Sequence, residues 1–245
     1  MEDKQEQILL ARMQEACDNN YAPRFFDFLD QAAQATLTPF LSASGEPFVF
    51  YGGMPEAERK LLCVYPEYVA EEDIAWPLMA AQFDKTFDFE HRHVLGELMG
   101  MGIERSCVGD IYVGEDAVQV IFLSRMADFF RLNFNKVRGR TIKPRFVTLP
   151  DIWDVRPAFQ TISVVAASQR LDGVIGKIWG LSRADSLSAI RAHNVRVNYL
   201  EATKPDYQLA PGDVVSLRGK GKAVIASLEG TTKKGRLRLL VKKYV

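Results

Sequence analysis

Cysteine, histidine and long apolar runs are scarce in this chain, and each scarcity excludes a class of function. The three cysteines, Cys17, Cys63 and Cys107, stand apart and are odd in number. With no C-x-x-C pair they suggest neither a disulfide framework nor a zinc site, and free thiols of this kind behave as small hydrophobes. The three histidines are His91, His93 and His193. H-R-H lacks the H-x-x-x-H spacing that puts two rings on one helix face, so no metal is expected. No apolar run approaches the roughly 18 residues of a membrane span. The opening M-E-D-K-Q-E-Q is too acidic and polar for a secretory signal. The expected location is cytoplasmic, with no membrane partner.

Catalytic signatures are missing as well. Gly96, Gly100, Gly102 and Gly109 close a helical pattern. A dinucleotide fingerprint must instead open a helix after a strand. Gly52-Gly53 has no Lys-Ser/Thr after it, so it reads as a turn and not a phosphate loop. No G-x-S-x-G elbow occurs. Asp110 follows a turn glycine and is placed to cap or bind, but a lone Asp names no reaction. No nucleophile, base and oxyanion donor assemble. The expectation is no enzyme, no catalytic residue and no cofactor.

What is present is charge, unevenly placed. The chain carries 31 basic and 31 acidic residues, yet Ser168 to Val245 holds 15 basic against 6 acidic, a balance of +9. Residues 1–167 therefore carry −9. Such asymmetry marks a polyanion-binding end. A second basic stretch lies between Phe129 and Pro150, which contains no acid but has Arg131, Lys136, Arg138, Arg140, Lys143 and Arg145. Read as one extended strand over 136–147, it puts Lys136, Arg138 and Arg140 on one face. That face is a possible second RNA surface, or a charged edge guarding against aggregation.

The length suits about two domains, but the patterns fall into three parts, and the expected class is α+β. Residues 1–75 form a small α/β piece. A helical stripe runs through Ile8, Leu9, Met13, Ala16 and Cys17. Pro23 is placed to open a second helix, Arg24 to Ala35. Strands follow at 48–53 and 61–66, with a short helix between them from Pro55 to Arg59. Residues 76–160 read β-α-β-β-α-β, a ferredoxin-like unit of the kind RNA-recognition domains use. Its elements are a strand at 77–83, a helix at 91–103, a hairpin of 109–113 with 117–123, a helix at 124–134 capped by Ser124, and the basic strand. Only Tyr112 and Phe122 are available there for base stacking. Residues 161–245 form the basic part.

In that part, Leu171, Val174, Ile175, Ile178 and Trp179 make a helical stripe with Arg170 at its start. Ser182 reads as the N-cap of a helix over 183–192. Arg183 sits in the first turn, where a cation opposes the helix dipole. A locally unfavourable residue invites a binding explanation, and a helix N-terminus presents N–H groups to phosphate. Arg196 and Asn198 alternate with Val195 and Val197 on a short strand. Arg218, Lys220 and Lys222 follow the Gly212-Asp213 turn, with Gly221 allowing close backbone approach.

These residues carry a resemblance. S-Q-R-L-D-x-V-I…L-S-R-x-x-S…V-R-V-N…G-D-V-V-S-L-R-G-K-G-K resembles the S4 RNA-binding domain, first known from a small-subunit ribosomal protein. The family has glycine where His193 stands, and histidine tolerates a left-handed backbone better than most residues. Lys222 stands where the family's closing arginine does, which keeps the charge but not the bidentate fork. With H-V-L-G-E-L-M-G-M-G-I-E-R-S-C-V-G-D-I-Y-V in the middle, the chain from about Tyr65 is similar to the YlmH-like S4 proteins of Gram-positive bacteria and cyanobacteria, beside the photosystem II S4 family.

That resemblance implies a non-catalytic protein that docks structured rRNA or tRNA. It implies the large ribosomal subunit and peptidyl-tRNA as partners, in ribosome-associated quality control, with a link to cell division. None of this follows from periodicity or charge. The expected RNA contacts are Arg170, Ser182, Arg183, Arg196, Asn198, Arg218, Lys220 and Lys222. Asp172 belongs to the S4 helix and is expected to cap or pair. Two alternatives stay open. One is an S4-guided RNA-modifying enzyme of pseudouridine synthase or methyltransferase type. The other is a protein partner for the acidic N-terminal half.

Overall fold

The computed structural model describes residues 2–156, 158–232 and 235–244. Mixed helices and antiparallel sheets make the class α+β. The chain divides into two compact units, Met1–Val155 and Arg156–Val245.

The first unit opens with α1 (Glu2–Asp18), β1 (Arg24–Phe25), α2 (Gln31–Ser44), β2 (Phe48–Tyr51) and β3 (Leu61–Val64). The strands form an antiparallel sheet in the order β1-β3-β2. Met13, Ala16 and Cys17 from α1 pack with Leu37, Leu41, Leu62 and Val64. The helix expected from Arg24 to Ala35 does not form. Arg24 and Phe25 pair with Val64 and Cys63 instead. The helix starts only after Asp30, whose carboxylate accepts the Ala33 amide at 2.9 Å. The short helix expected from Pro55 to Arg59 is also absent. The amides of Glu58 and Arg59 are captured by the Asp110 carboxylate at 2.6 and 3.0 Å, which holds the segment as a turn. All three cysteines are buried, and burial pushes the Cys63 thiol up to about 12.

The same unit continues with β4 (Leu78–Asp84), α3 (His91–Gly100), β5 (Val108–Val113), β6 (Ala117–Leu123), α4 (Ala127–Asn133), β7 (Lys136–Val137), β8 (Arg140–Thr141) and β9 (Arg145–Thr148). The main sheet is antiparallel in the order β5-β6-β4-β9. This is the order of two interlocked split β-α-β units. Ser124 opens a 3-10 turn, and α4 begins at Ala127 without a side-chain cap. The basic stretch is not one strand. Lys136 pairs with Thr141 and Val137 with Arg140, so β7 and β8 are a tight hairpin. Arg138 and Gly139, at φ 51° and 72°, occupy its centre. Two left-handed residues make a type I′ turn, which follows the strand twist. The Arg-Gly pair, read as part of a strand, is the turn.

The second unit is β10 (Phe159–Ala166), α5 (Leu171–Trp179), α6 (Arg183–Arg191), β11 (Val195–Val197), β12 (Leu200–Glu201), β13 (Val214–Leu217), β14 (Gly221–Thr231) and β15 (Leu237–Tyr244). Its six strands are antiparallel in the order β10-β15-β14-β13-β11-β12. Alternation decides the faces. Val164, Val195, Val215, Ala223, Ile225, Leu239 and Val241 point one way and meet Leu171, Val174, Ile175 and Ile190 of the helices. His193 has φ 56°, as its place in the pattern predicts.

Candidate nucleic-acid interface

In the second unit, α5 and α6 approach closely because residue 176 has no side chain. A Cβ there would stand 3.1 Å from Ser186 Oγ and 3.2 Å from the Leu181 carbonyl. The Leu181 amide closes on the Gly176 carbonyl at 2.8 Å, and Gly180 takes the left-handed cap. Ser182 then caps α6. Its Oγ accepts the Asp185 amide at 3.1 Å and donates to Asp185 Oδ2 at 2.7 Å. The result is a groove of about 280 Å³ lined among others by Ser168, Arg170, Gly173, Lys177 and Arg183.

The groove holds three cations, and they are not alike. Arg170 grips Asp172 in a fork, Nε to Oδ1 at 3.1 Å and Nη2 to Oδ2 at 2.9 Å. Asp172 is buried in the first turn of α5 and also accepts the Gly173 amide at 2.8 Å. The Arg170 hydrogen bonds hold its carboxyl below the usual range, and the nearby charge of Arg183 adds to this. Asp172 therefore pairs, as its position in the helix suggests, and Arg170 is partly committed to it. Arg183 and Lys177 are exposed and engage no carboxylate among the described residues. Lys177 was not among the residues read from the sequence. It lies seven residues from Arg170 and four from Gly173, on the same helical face, and that spacing is the signal.

The other expected contacts separate. Arg218 and Lys220 are exposed in the turn between β13 and β14. Trp179 Nε1 donates to the Lys220 carbonyl at 3.1 Å and ties that turn to the end of α5. Arg196 and Lys222 project from the sheet face opposite the helices, because Val195 and Val197 beside the one and Ala223 beside the other point inward. Asn198 is used structurally. Its Nδ2 donates to Asp213 at 2.8 Å and its Oδ1 accepts the Val214 amide at 2.9 Å. The groove thus brings together Arg170 and Arg183 and adds Lys177, while Ser182 is used as the cap of α6.

In the first unit, Lys136, Arg138 and Arg140 sit on the β7–β8 hairpin and not along one strand. Arg138 donates to the Asp88 carbonyl at 3.3 Å, and the Arg140 guanidinium lies 5.2 Å from the Phe87 ring centre. These four residues line a shallow depression. Phe122 is fully buried and stacks on Phe130 at 4.1 Å, so it offers no surface to a base. Tyr112 is half-exposed. The His93 ring is used in a helix cap, with Nδ1 accepting the Glu90 amide at 2.9 Å.

Among the described residues no helix is long and apolar enough to cross a membrane. Residues 70–149, which hold β4 to β9, match the family model described as "Putative RNA-binding domain in YlmH". Along 226 residues the chain is 33% identical to "Ribosome-associated protein quality control protein P2" of Bacillus subtilis, covering 89% of this chain and 86% of that protein. The solved structure of "Cell division protein ylmH from Streptococcus pneumoniae" superposes with a TM-score of 0.53 at 20% identity. It covers 62% of this chain and 94% of the other, and the likeness is one of fold.

Proposed function

The chain belongs to the YlmH-like family, and from that premise we propose that it is a non-catalytic RNA-binding protein whose second unit is an S4 domain. It docks structured rRNA or tRNA through the α5–α6 groove. The observation that carries this reading is Arg183 and Lys177, two exposed cations beside the N-terminus of α6, in a groove floored by glycine. Cations and helix amides together suit phosphate. Side chains cannot read the deep, narrow major groove of RNA, so recognition is of shape and backbone. Arg218 and Lys220 extend the phosphate contact. The β7–β8 hairpin, with Lys136, Arg138 and Arg140, supplies a second RNA surface in the first unit.

The Bacillus subtilis relative is named for ribosome-associated quality control. This chain acts in the same setting, in the cytoplasm, on the large ribosomal subunit beside peptidyl-tRNA. The Streptococcus pneumoniae protein is named for cell division, and the same link is proposed for this chain.

The test is ribosome co-sedimentation of Lys177→Ala with Arg183→Ala across a salt series. Losing two phosphate contacts reduces the salt slope by roughly 2 and weakens binding at every salt. Unchanged co-sedimentation would overturn the reading. This pair is cleaner than Arg170→Ala, which also strands Asp172. Nucleoside mass spectrometry of RNA from a deletion strain tests the non-catalytic part, since a missing modification would show an enzyme.

A further inference from the structure

The helices cover one face of the second unit's sheet, and the opposite face carries a row of side chains across all six strands. Phe159 opposes Tyr244. Ala223 opposes Lys243, which sets Lys222 beside Tyr244. Lys222 opposes Ser216, Ser216 opposes Arg196, and Arg196 opposes Glu201. The aromatic end of this row is ordered by cations. The Phe159 ring meets Tyr244 edge-on at 4.6 Å. Lys222 Nζ lies 4.2 Å from the Tyr244 ring centre and 5.9 Å from that of Tyr199, and Lys242 Nζ lies 5.9 Å from that of Phe159.

Tyr199 adds a backbone observation. With Asn198 it forms the centre of the β11–β12 turn, at φ 48° and 70°. A left-handed backbone is uncommon for a bulky residue, and such strain clusters at functional positions. The Asn198 amide, locked between Asp213 and Val214, holds the turn in this form. Its strained conformation sets the third ring beside the same lysine.

The face is also electropositive. Arg196, Lys222, Arg238 and Lys242 project from it. The acids on these strands are Glu201, which meets His193 at 3.1 Å, and Glu229, near the far end of β14. We propose that this face is a stacking platform for single-stranded RNA, with unpaired bases on Phe159, Tyr244 and Tyr199 and phosphates along Lys222, Lys242 and Arg196. An acidic peptide would satisfy the cations but offers no ring faces to the aromatics. Aromatic stacking flanked by a basic track is the common chemistry of single-strand binding. The inference rests on the RNA-binding reading but uses a different face from the groove.

The experiment uses the full chain and two labelled probes, a single-stranded oligouridylate and an RNA hairpin. Phe159→Leu with Tyr244→Leu keeps both side chains apolar and removes both rings. Its oligouridylate binding falls by at least about tenfold, because each stacked base contributes strongly. Its hairpin binding stays at the wild-type value. Lys177→Ala with Arg183→Ala does the reverse, so failure of the groove reading shows in the hairpin arm alone. Three outcomes overturn the platform. They are no oligouridylate binding by the wild type, equal loss of both probes in the leucine variant, and displacement of oligouridylate by oligoglutamate with no effect of the leucine changes.

Discussion

Arginine is used in opposite ways at two sites, one in each unit. In the first, Arg59 is turned inward. Its Nε donates to the Val108 carbonyl at 3.0 Å, and Nη2 donates to Phe28 and Arg105 at 3.0 and 3.2 Å. Arg105 donates to the carbonyls of Val108 and Gly109. Burial pushes Arg105 down to about 10 and lowers Arg59 as well. These are staples joining three loops through neutral acceptors. In the second unit, Arg183 and Lys177 face solvent over a groove, and of the three groove cations it is Arg170 that grips a carboxylate among the described residues. A tally of charge counts all of these equally. What separates a staple from a contact is whether the donors already have acceptors.

The aspartates repeat the contrast. Asp172 is met by the Arg170 fork and its pKa is lowered. Asp110 is met by two backbone amides while the nearby guanidinia point elsewhere, and burial wins, raising its pKa. A carboxylate in a cluster of arginines is therefore not automatically an ion-paired one. The direction of the donors decides.

The largest expected effect is at Arg59. Arg59→Met takes a donor from three carbonyls, but Val108 keeps the Arg105 guanidinium and Arg105 keeps the Val108 amide, so the Phe28 carbonyl carries most of the loss. An unsatisfied group costs about 1–3 kcal/mol, so a loss of about 2 kcal/mol in urea unfolding is expected. The hairpin RNA arm should not move. A loss below about 1 kcal/mol would mean water replaces the staple, and the contrast between the units would shrink.

Next comes Arg170→Ala, whose effect depends on pH. The folded pKa of Asp172 is below its ordinary value of 3.8. Its pairing therefore stabilises fully above that value, and the contribution is lost as pH falls through the lower folded pKa. The variant unfolds earlier than the wild type at neutral pH, and the two melting curves converge in acid below pH 3.8. Asp110 has the opposite sign. Its raised pKa makes protonation favour the fold, so acid relieves a cost there. A gap between the Arg170→Ala and wild-type curves that persists in acid would show that Arg170 acts by packing and not through Asp172.

What the sequence made legible were features set by near neighbours. Ser182 reads as the N-cap of the helix after it and is one, with its Oγ on the Asp185 amide. His193 reads as left-handed and is. The hairpin of β5 and β6 follows from its turn residues. Misreadings arose where a distant partner decided. Phe25, Phe26 and Phe28 have spacing compatible with a helix, but β3 offered Arg24 and Phe25 a strand partner. Residues 55–59 look helical until Asp110, some fifty residues on, takes their amides. Arg138 at positive φ is not a turn signal that composition announces, and only Gly139 hinted at it. In the groove, Arg170 and Arg183 follow from the pattern, whereas Lys177 needed the helical face. Asn198, expected at the RNA, has its amide bonded to Asp213 and Val214 about fifteen residues away, which its immediate neighbours do not announce.

The smallest stability effect is expected at Arg183, and it is the sharpest test of the contrast. The residue occupies the first turn of α6, where the dipole disfavours a cation by about 0.3–1 kcal/mol. It also lies near enough to Asp172 to help keep that carboxylate ionised. The two influences oppose each other, so Arg183→Ala should change urea unfolding by less than about 0.5 kcal/mol in either direction. Hairpin RNA binding should nevertheless weaken, and more at low salt than at high, because an exposed cation acts through the phosphate backbone. A residue that the fold does not need but the ligand does is what a binding arginine is. If Arg183→Ala instead unfolded the second unit as readily as Arg59→Met unfolds the first, it would be a staple, and the groove would be left with Lys177 as its one cation available to a phosphate.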